Sequence, residues 1–207
     1  MKSLIYRGRF ISLLLAVVAN NAPAIPTIEA TGGNIAGFNP DYQTLRGCCG
    51  VAPPQDLTAS STLSPQGKNT YGIQNIVDDN PFTAWQEGKT DEGIGQYFEF
   101  TYQFDQAAGW EGYCDQVWIA NGYQKSKTLW EQNARVKKFK VSINQRPLAY
   151  VKLQDLMGEQ SFSLNLAEWQ EVDTSSSARI KFEITEVYSG KKWPDVGISE
   201  LYFTCGS

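Results

Sequence analysis

Period-two alternation is the feature that most limits what this chain can fold into. In residues 97–104, Phe98, Phe100, Tyr102 and Phe104 take one set of positions while the other set is mostly polar, the pattern of a strand with one face buried and one face wet. The period recurs. Phe139, Val141 and Ile143 alternate with Lys138, Lys140 and Ser142; Phe162, Leu164 and Leu166 with Ser161, Ser163 and Asn165; Ile180, Phe182 and Ile184 with Lys181, Glu183 and Thr185. Residues 117–119, 150–153 and 198–203 add further short runs, and no long stripe of helical spacing interrupts them. Helical turns are expected only near Ile73–Asp78 and Leu129–Asn133. This texture predicts an all-β antiparallel sandwich. A chain of 207 residues, 42% hydrophobic and 13% aromatic, carries enough apolar surface for one such core.

The N-terminal part does not share that texture. Lys2, Arg7 and Arg9 precede the apolar run 10–19, and Ala22-Pro23-Ala24 places small residues at both cleavage-specifying positions; the pattern predicts a secretory signal peptide over 1–24. Its apolar run is about half the ~20 residues needed to cross a bilayer, so no membrane span is expected. The mature chain is expected to be secreted, at the cell surface or periplasmic. Residues 25–55, punctuated by Gly32-Gly33, Asn39-Pro40, Gly47, Gly50 and Pro53-Pro54, read as a Gly/Pro-rich arm, and 56–207 as the sandwich domain.

Cys48, Cys49, Cys114 and Cys205 are an even set in a chain that reads as exported, so two disulfides are expected. The adjacent pair is expected to bond outward, to Cys114 and Cys205, in either of two connectivities. A four-thiolate zinc site competes with this, without the Cys-x-x-Cys hooks such sites usually have.

The chain contains no histidine. That excludes a Ser-His-Asp or Cys-His nucleophile, His-ligated zinc and imidazole acid–base chemistry. With 22 acidic and 18 basic residues its net charge is −4, and no nucleic-acid partner is expected. Acids dominate from Asp56 to Gln124, whereas bases dominate from Lys125 to Arg146. Solvated strand faces account for Lys138 and Lys140; Lys125, Lys127 and Arg135 lie outside the alternating run and are free to meet an anionic or hydroxyl-rich ligand.

Oxygen-bearing side chains concentrate at Asp78, Asp79 and Asn80, followed by Pro81, Thr83 and Trp85. A tight loop of this composition suits Ca2+, which takes ~6–8 oxygens, many of them backbone carbonyls; Glu200 is the remote carboxylate best able to close the shell. The alternative is an Asx-turn in which Asp78 and Asn80 cap their own backbone.

Ala59-Ser60-Ser61-Thr62-Leu63, the turn Asp79-Asn80-Pro81-Phe82-Thr83-Ala84-Trp85 and the closing Ile198-Ser199-Glu200-Leu201 resemble the discoidin-like, or coagulation-factor type C, galactose-binding-like β-sandwich. Residues 74–88, 119–126, 130–138 and 187–195 extend the resemblance toward the NADase-type glycan-binding (NAD glycohydrolase translocation) domain, over about 56–204. The resemblance implies an eight-stranded jelly-roll-like sandwich with a glycan site in the loops at one end and no catalytic centre of its own. It also implies a structural Ca2+ on Asp78, Asn80, Thr83 and Glu200. Two positions depart from the family pattern: Asp79 replaces the usual Gly, and Trp193-Pro194 stands where Tyr-Asp is more typical.

Loop residues of the right chemistry for sugars are present independently of that resemblance. Tyr123, Trp130, Tyr188 and Trp193 offer aromatic faces for C–H stacking, and Asn121, Asn133, Arg135 and Asp195 offer hydroxyl partners. Each has a duller reading: Trp130 in the core, Arg135 paired with Glu131 one helical turn away, Asn121-Gly122 as a turn. The sequence therefore points first to a non-enzymatic module that binds a glycan or glycoconjugate. A module that docks a protein partner is second, and a hydrolase built on Asp91 and Asp195 third.

Overall fold

The computed structural model of the chain describes residues 24–32, 54–103, 115–166 and 177–204. Residues 1–23 of the signal segment and all four cysteines lie outside the described residues, and with the cysteines the disulfide and zinc expectations.

The strands are β1 (Thr27–Glu29), β2 (Thr31–Gly32), β3 (Gln55–Ala59), β4 (Trp85–Gln86), β5 (Tyr97–Gln103), β6 (Gln116–Asn121), β7 (Arg135–Ile143), β8 (Arg146–Lys152), β9 (Glu159–Ser163), β10 (Ser177–Tyr188) and β11 (Gly197–Thr204). A 3-10 turn at Ile73–Ile76 and the α-helix α1 (Lys127–Gln132) fall where helical turns were expected. One sheet runs β1-β8-β7-β10-β5-β3 and the other β2-β9-β6-β11-β4. All the strand pairings are antiparallel except β1 on β8. This is the two-sheet sandwich that the alternation predicted, in the discoidin-like jelly-roll form that the resemblance implied.

The period-two residues do what their spacing requires. β5 alternates half-buried and buried along its whole length, and its inward Phe98 and Phe100 are fully enclosed. Phe182 of β10 stands opposite Phe98 in register and stacks on it at 5.1 Å, with Phe139 of β7 edge-on at 5.5 Å. The other sheet answers with Phe203 of β11 against Phe100 at 5.6 Å and Trp85 of β4 against Phe98 at 5.7 Å. Each such aromatic pair adds roughly 0.5–1.5 kcal/mol beyond the area it buries.

Part of the segment read as an arm belongs to the sandwich. Residues 27–32 supply β1 at the edge of one sheet and β2 at the edge of the other, with buried Ala30 between them. Ala30 N donates to Lys152 O and Gln154 Nε2 donates to Ala30 O, both at 2.9 Å. Backbone pairing to existing edges makes these strands; their own short, polar sequence has no alternation that could have announced them.

Candidate functional site

One end of the sandwich collects four strand ends and the two connections that join them. β6 leaves at Asn121, α1 leads into Arg135 at the start of β7, β10 ends at Tyr188, and β11 begins at Gly197. Arg135 and Tyr188 are directly paired across β7 and β10. Parallel bridges Gly122–Ile198 and Ala134–Val196 tie the loops beyond them. Residues 121 to 195 therefore do converge, and within that convergence they divide into two groups.

Tyr123, Asn133, Trp193 and Asp195 line a concave pocket of about 250 Å³. The rest of its wall comes from residues the sequence did not single out: Leu63, Gln66, Asn69, Tyr71, Gln86, Leu129 and Gln132. Tyr71 meets Tyr123 edge-on at 6.1 Å, and Trp193 is one of the exposed large apolar side chains. The pocket wall thus combines aromatic faces with side-chain amides.

Asn121, Trp130, Arg135 and Tyr188 are the scaffold behind that wall, not part of it. Asn121 is fully buried; its Nδ2 donates to Val136 O at 2.8 Å and its Oδ1 accepts from Val136 N at 3.0 Å, so the side chain imitates a strand pairing. Trp130 donates Nε1–H to Asn121 O at 2.9 Å and lies under the Arg135 guanidinium at 4.6 Å. Arg135 is 7% exposed. Its Nε and Nη2 grip the Asp155 carboxylate at 2.9–3.0 Å, and Nη1 donates to Asn133 O and Ser189 O at 2.9 and 3.2 Å. Every guanidinium nitrogen is thereby engaged, which leaves the ligand role read for Arg135 without a donor. Glu131 pairs with Lys191 instead. The Tyr188 hydroxyl donates to Leu153 O at 3.0 Å.

The loop after β10 is fastened to α1. Ser126 caps the helix, its Oγ accepting from Leu129 N, and the helix ends as Asn133 N and Nδ2 both turn back to Leu129 O. The carbonyls of the last turn, left over in any helix, are met by the loop: Lys191 N donates to Glu131 O, and Lys192 N and Trp193 N to Gln132 O, at 2.8–3.0 Å. Approach this close requires Gly190, where any β-carbon would collide with Gln132 O and Trp193 O.

Asp195 faces this pocket half-buried, and burial pushes its carboxyl above the ordinary aspartate range. Burial also pushes up the Tyr71 hydroxyl, with the Asp195 charge adding to it. Next to Gln86, Glu87 is fully buried; its Oε2 accepts from Lys89 N at 2.7 Å while Oε1 has no partner. Desolvation is the main reason its carboxyl is raised, and the Asp195 and Asp91 charges contribute.

The oxygen-rich turn gathers its side chains through internal hydrogen bonds. Thr83 Oγ1 lies 2.8 and 3.0 Å from the two Asp78 carboxylate oxygens and 2.7 Å from Asn80 O, so these oxygens converge. Asx-turn bonds are present as well, from Asn80 N to Asp78 Oδ1 and from Phe82 N to Asn80 Oδ1. Asp79 has φ 61°, the left-handed conformation for which glycine is the usual solution and which Asp tolerates better than most residues; the departure from Gly is thus accommodated. Glu200 is fully buried on β11, against which the preceding 3-10 turn packs. No cluster of three or more His, Cys, Asp or Glu side chains able to hold a metal occurs among the described residues.

A model of the NAD glycohydrolase translocation F5/8 type C domain matches residues 48–204. Among solved structures, the CBM32-1 and CBM32-2 domains of Clostridium perfringens ZmpB align with a TM-score of 0.53 and 11% identity, covering 89% of this chain and 42% of that one. The same domains joined to the M60 catalytic domain of ZmpB align with a TM-score of 0.55 and 11% identity, over 91% of this chain and 17% of that one. The chain thus spans less than half of either structure, and at this identity the likeness concerns the fold. No curated protein sequence matches.

Proposed function

We propose that this chain, which belongs to the NAD glycohydrolase translocation F5/8 type C domain family, is a secreted, non-enzymatic module that binds a glycan in the pocket between α1 and the β10–β11 loop. The observation that carries the proposal is the composition of that pocket: the amides of Gln66, Asn69, Gln86, Gln132 and Asn133 beside the rings of Tyr71, Tyr123 and Trp193. A sugar hydroxyl is at once donor and acceptor, as an amide is, and a pyranose C–H face stacks on an aromatic plane. A protein partner is better served by a flatter apolar patch than by a concave, amide-rich one. The shared fold with CBM32 modules supports the same reading.

Ca2+ fits this picture as a structural ion held by Asp78, Asn80 and Thr83, with Glu200 closing its shell; it would brace the turn that precedes β4. The signal segment supports export. Glycan-array binding by the mature protein, repeated with Trp193→Ala and Asn133→Ala, tests the proposal. Binding that both substitutions reduce supports it, whereas the absence of any bound glycan, or binding indifferent to both, overturns it.

A further inference from the structure

The charge pattern of the pocket says which sugars it takes. Among the described residues its lining contains one ionisable carboxylate, Asp195, and no lysine or arginine. Asp195 forms no ion pair among the described residues; its backbone carbonyl accepts from Ala134 N, and the residue lines the pocket, its carboxylate engaged by its own backbone N–H. Two cations of the surrounding elements are committed to acidic partners. Arg135 is held by Asp155 and Lys191 by Glu131. Beyond the described residues the sequence offers, apart from the signal segment, only Arg46. Behind the wall sits the buried carboxyl of Glu87, with one oxygen unpartnered.

Lysines do occur at the mouth. Lys125 Nζ donates to Asn69 Oδ1 at 2.7 Å, Lys192 Nζ rests 4.4 Å from the Trp193 ring centre, and Lys68 lies in the turn between Gln66 and Asn69. None of the three lines the pocket.

We propose that the pocket selects its sugar by charge: it takes a ring that is uncharged or bears an amine, with Asp195 accepting from hydroxyl or ammonium hydrogens, and excludes uronic and other acidic sugars. This rests on the carbohydrate reading and narrows it. An acid group inside the pocket would face Asp195 with no counter-cation, at a separation where water screens poorly. The mouth lysines then serve acidic groups further along a glycan, outside the enclosed ring.

The test uses monosaccharide glycosides matched in skeleton, the neutral hexoside, its amino-sugar and its uronic acid, in the gluco and galacto series, titrated against the mature protein and Asp195→Asn at neutral pH. The uronic acid is expected to bind about tenfold or more weaker than its neutral counterpart. Asp195→Asn, which removes the charge and keeps the shape, should narrow that ratio to within about threefold whatever it does to absolute affinity. A uronic acid bound as tightly as the neutral sugar, or a ratio that Asp195→Asn leaves unchanged, overturns the proposal while glycan binding stands. If neither these sugars nor an arrayed glycan panel is bound, the carbohydrate reading falls and takes the proposal with it.

Discussion

Arg135→Ala removes the clasp of the binding end, and its cost can be worked from the contacts. Three elements meet on this one guanidinium: the Asp155 segment, α1 through the Trp130 ring and the carbonyl of its cap Asn133, and the loop after β10 through Ser189 O. Removing one partner of a fully buried ion pair costs roughly 3–5 kcal/mol. Asp155, however, keeps 38% of its side chain exposed against 8% for Arg135, so water can take over its carboxylate and the pair itself contributes no more than about 1 kcal/mol. The two carbonyls lose charge-assisted bonds, each roughly 1.5 kcal/mol or more. Taken together the substitution should cost about 3 kcal/mol, which in a domain of this size lowers Tm by about 6–12 °C. Lysine keeps the charge but cannot span three acceptors from one nitrogen, so Arg135→Lys should recover less than half. Thermal melts give the stability, and a cycle with Asp155→Ala should show a coupling of about 1 kcal/mol. If Arg135→Ala left Tm within about 2 °C of the parent, showed no coupling to Asp155 and yet abolished glycan binding, Arg135 would be a ligand residue and the clasp argument wrong.

Other perturbations separate the remaining parts of the site. Gly190→Ala should force the loop off the α1 carbonyls, weakening glycan binding about tenfold or more through displaced Trp193; unchanged affinity would show that the loop does not set the pocket. Excess chelator should lower Tm if Asp78 and Glu200 share an ion bound only by the folded state, and Asp78→Ala should abolish that sensitivity. A melting curve indifferent to chelator would leave the turn to its Asx bonds. Glu87 has a carboxyl raised in the folded state, so the folded protein holds its proton more tightly than the unfolded chain; the penalty of ionising it is absent at acid pH and sets in as pH rises through the folded value. Glu87→Gln should therefore raise Tm by a few degrees at pH 7 and by progressively less toward pH 4, and a fall in Tm at neutral pH would contradict the assignment.

The strands could be read from the sequence because a half-buried strand writes its environment into every second residue, as Phe98, Phe100 and Tyr102 do. Convergence of the loops was also legible, since Asn121, Asn133, Arg135 and Asp195 fall outside the alternating runs. Their orientation was not. Asn121 and Arg135 are as polar as any ligand-binding side chain, but their partners are the backbone of Val136, the carbonyl of Ser189 and the carboxylate of Asp155, none of which local spacing reveals. Gln66, Asn69 and Gln86 line the pocket from segments whose composition is that of ordinary surface loops. β1 and β2 escaped for a related reason, because their structure comes from the edges they join.

That N-terminal strap has a mechanical consequence. Tyr150 N donates to Pro26 O, Ala30 N to Lys152 O and Gln154 Nε2 to Ala30 O, all at 2.8–2.9 Å, while the Thr31–Gly32 pairing reaches the opposite sheet. β1 runs parallel to β8 and the next strand, β2, joins β9 of the other sheet, so the strap bridges the edges of both layers. Sliding of one sheet over the other would load these bonds together, in shear, and not one after another as in peeling. The segment thus braces the two layers against relative sliding, at a distance from the pocket loops.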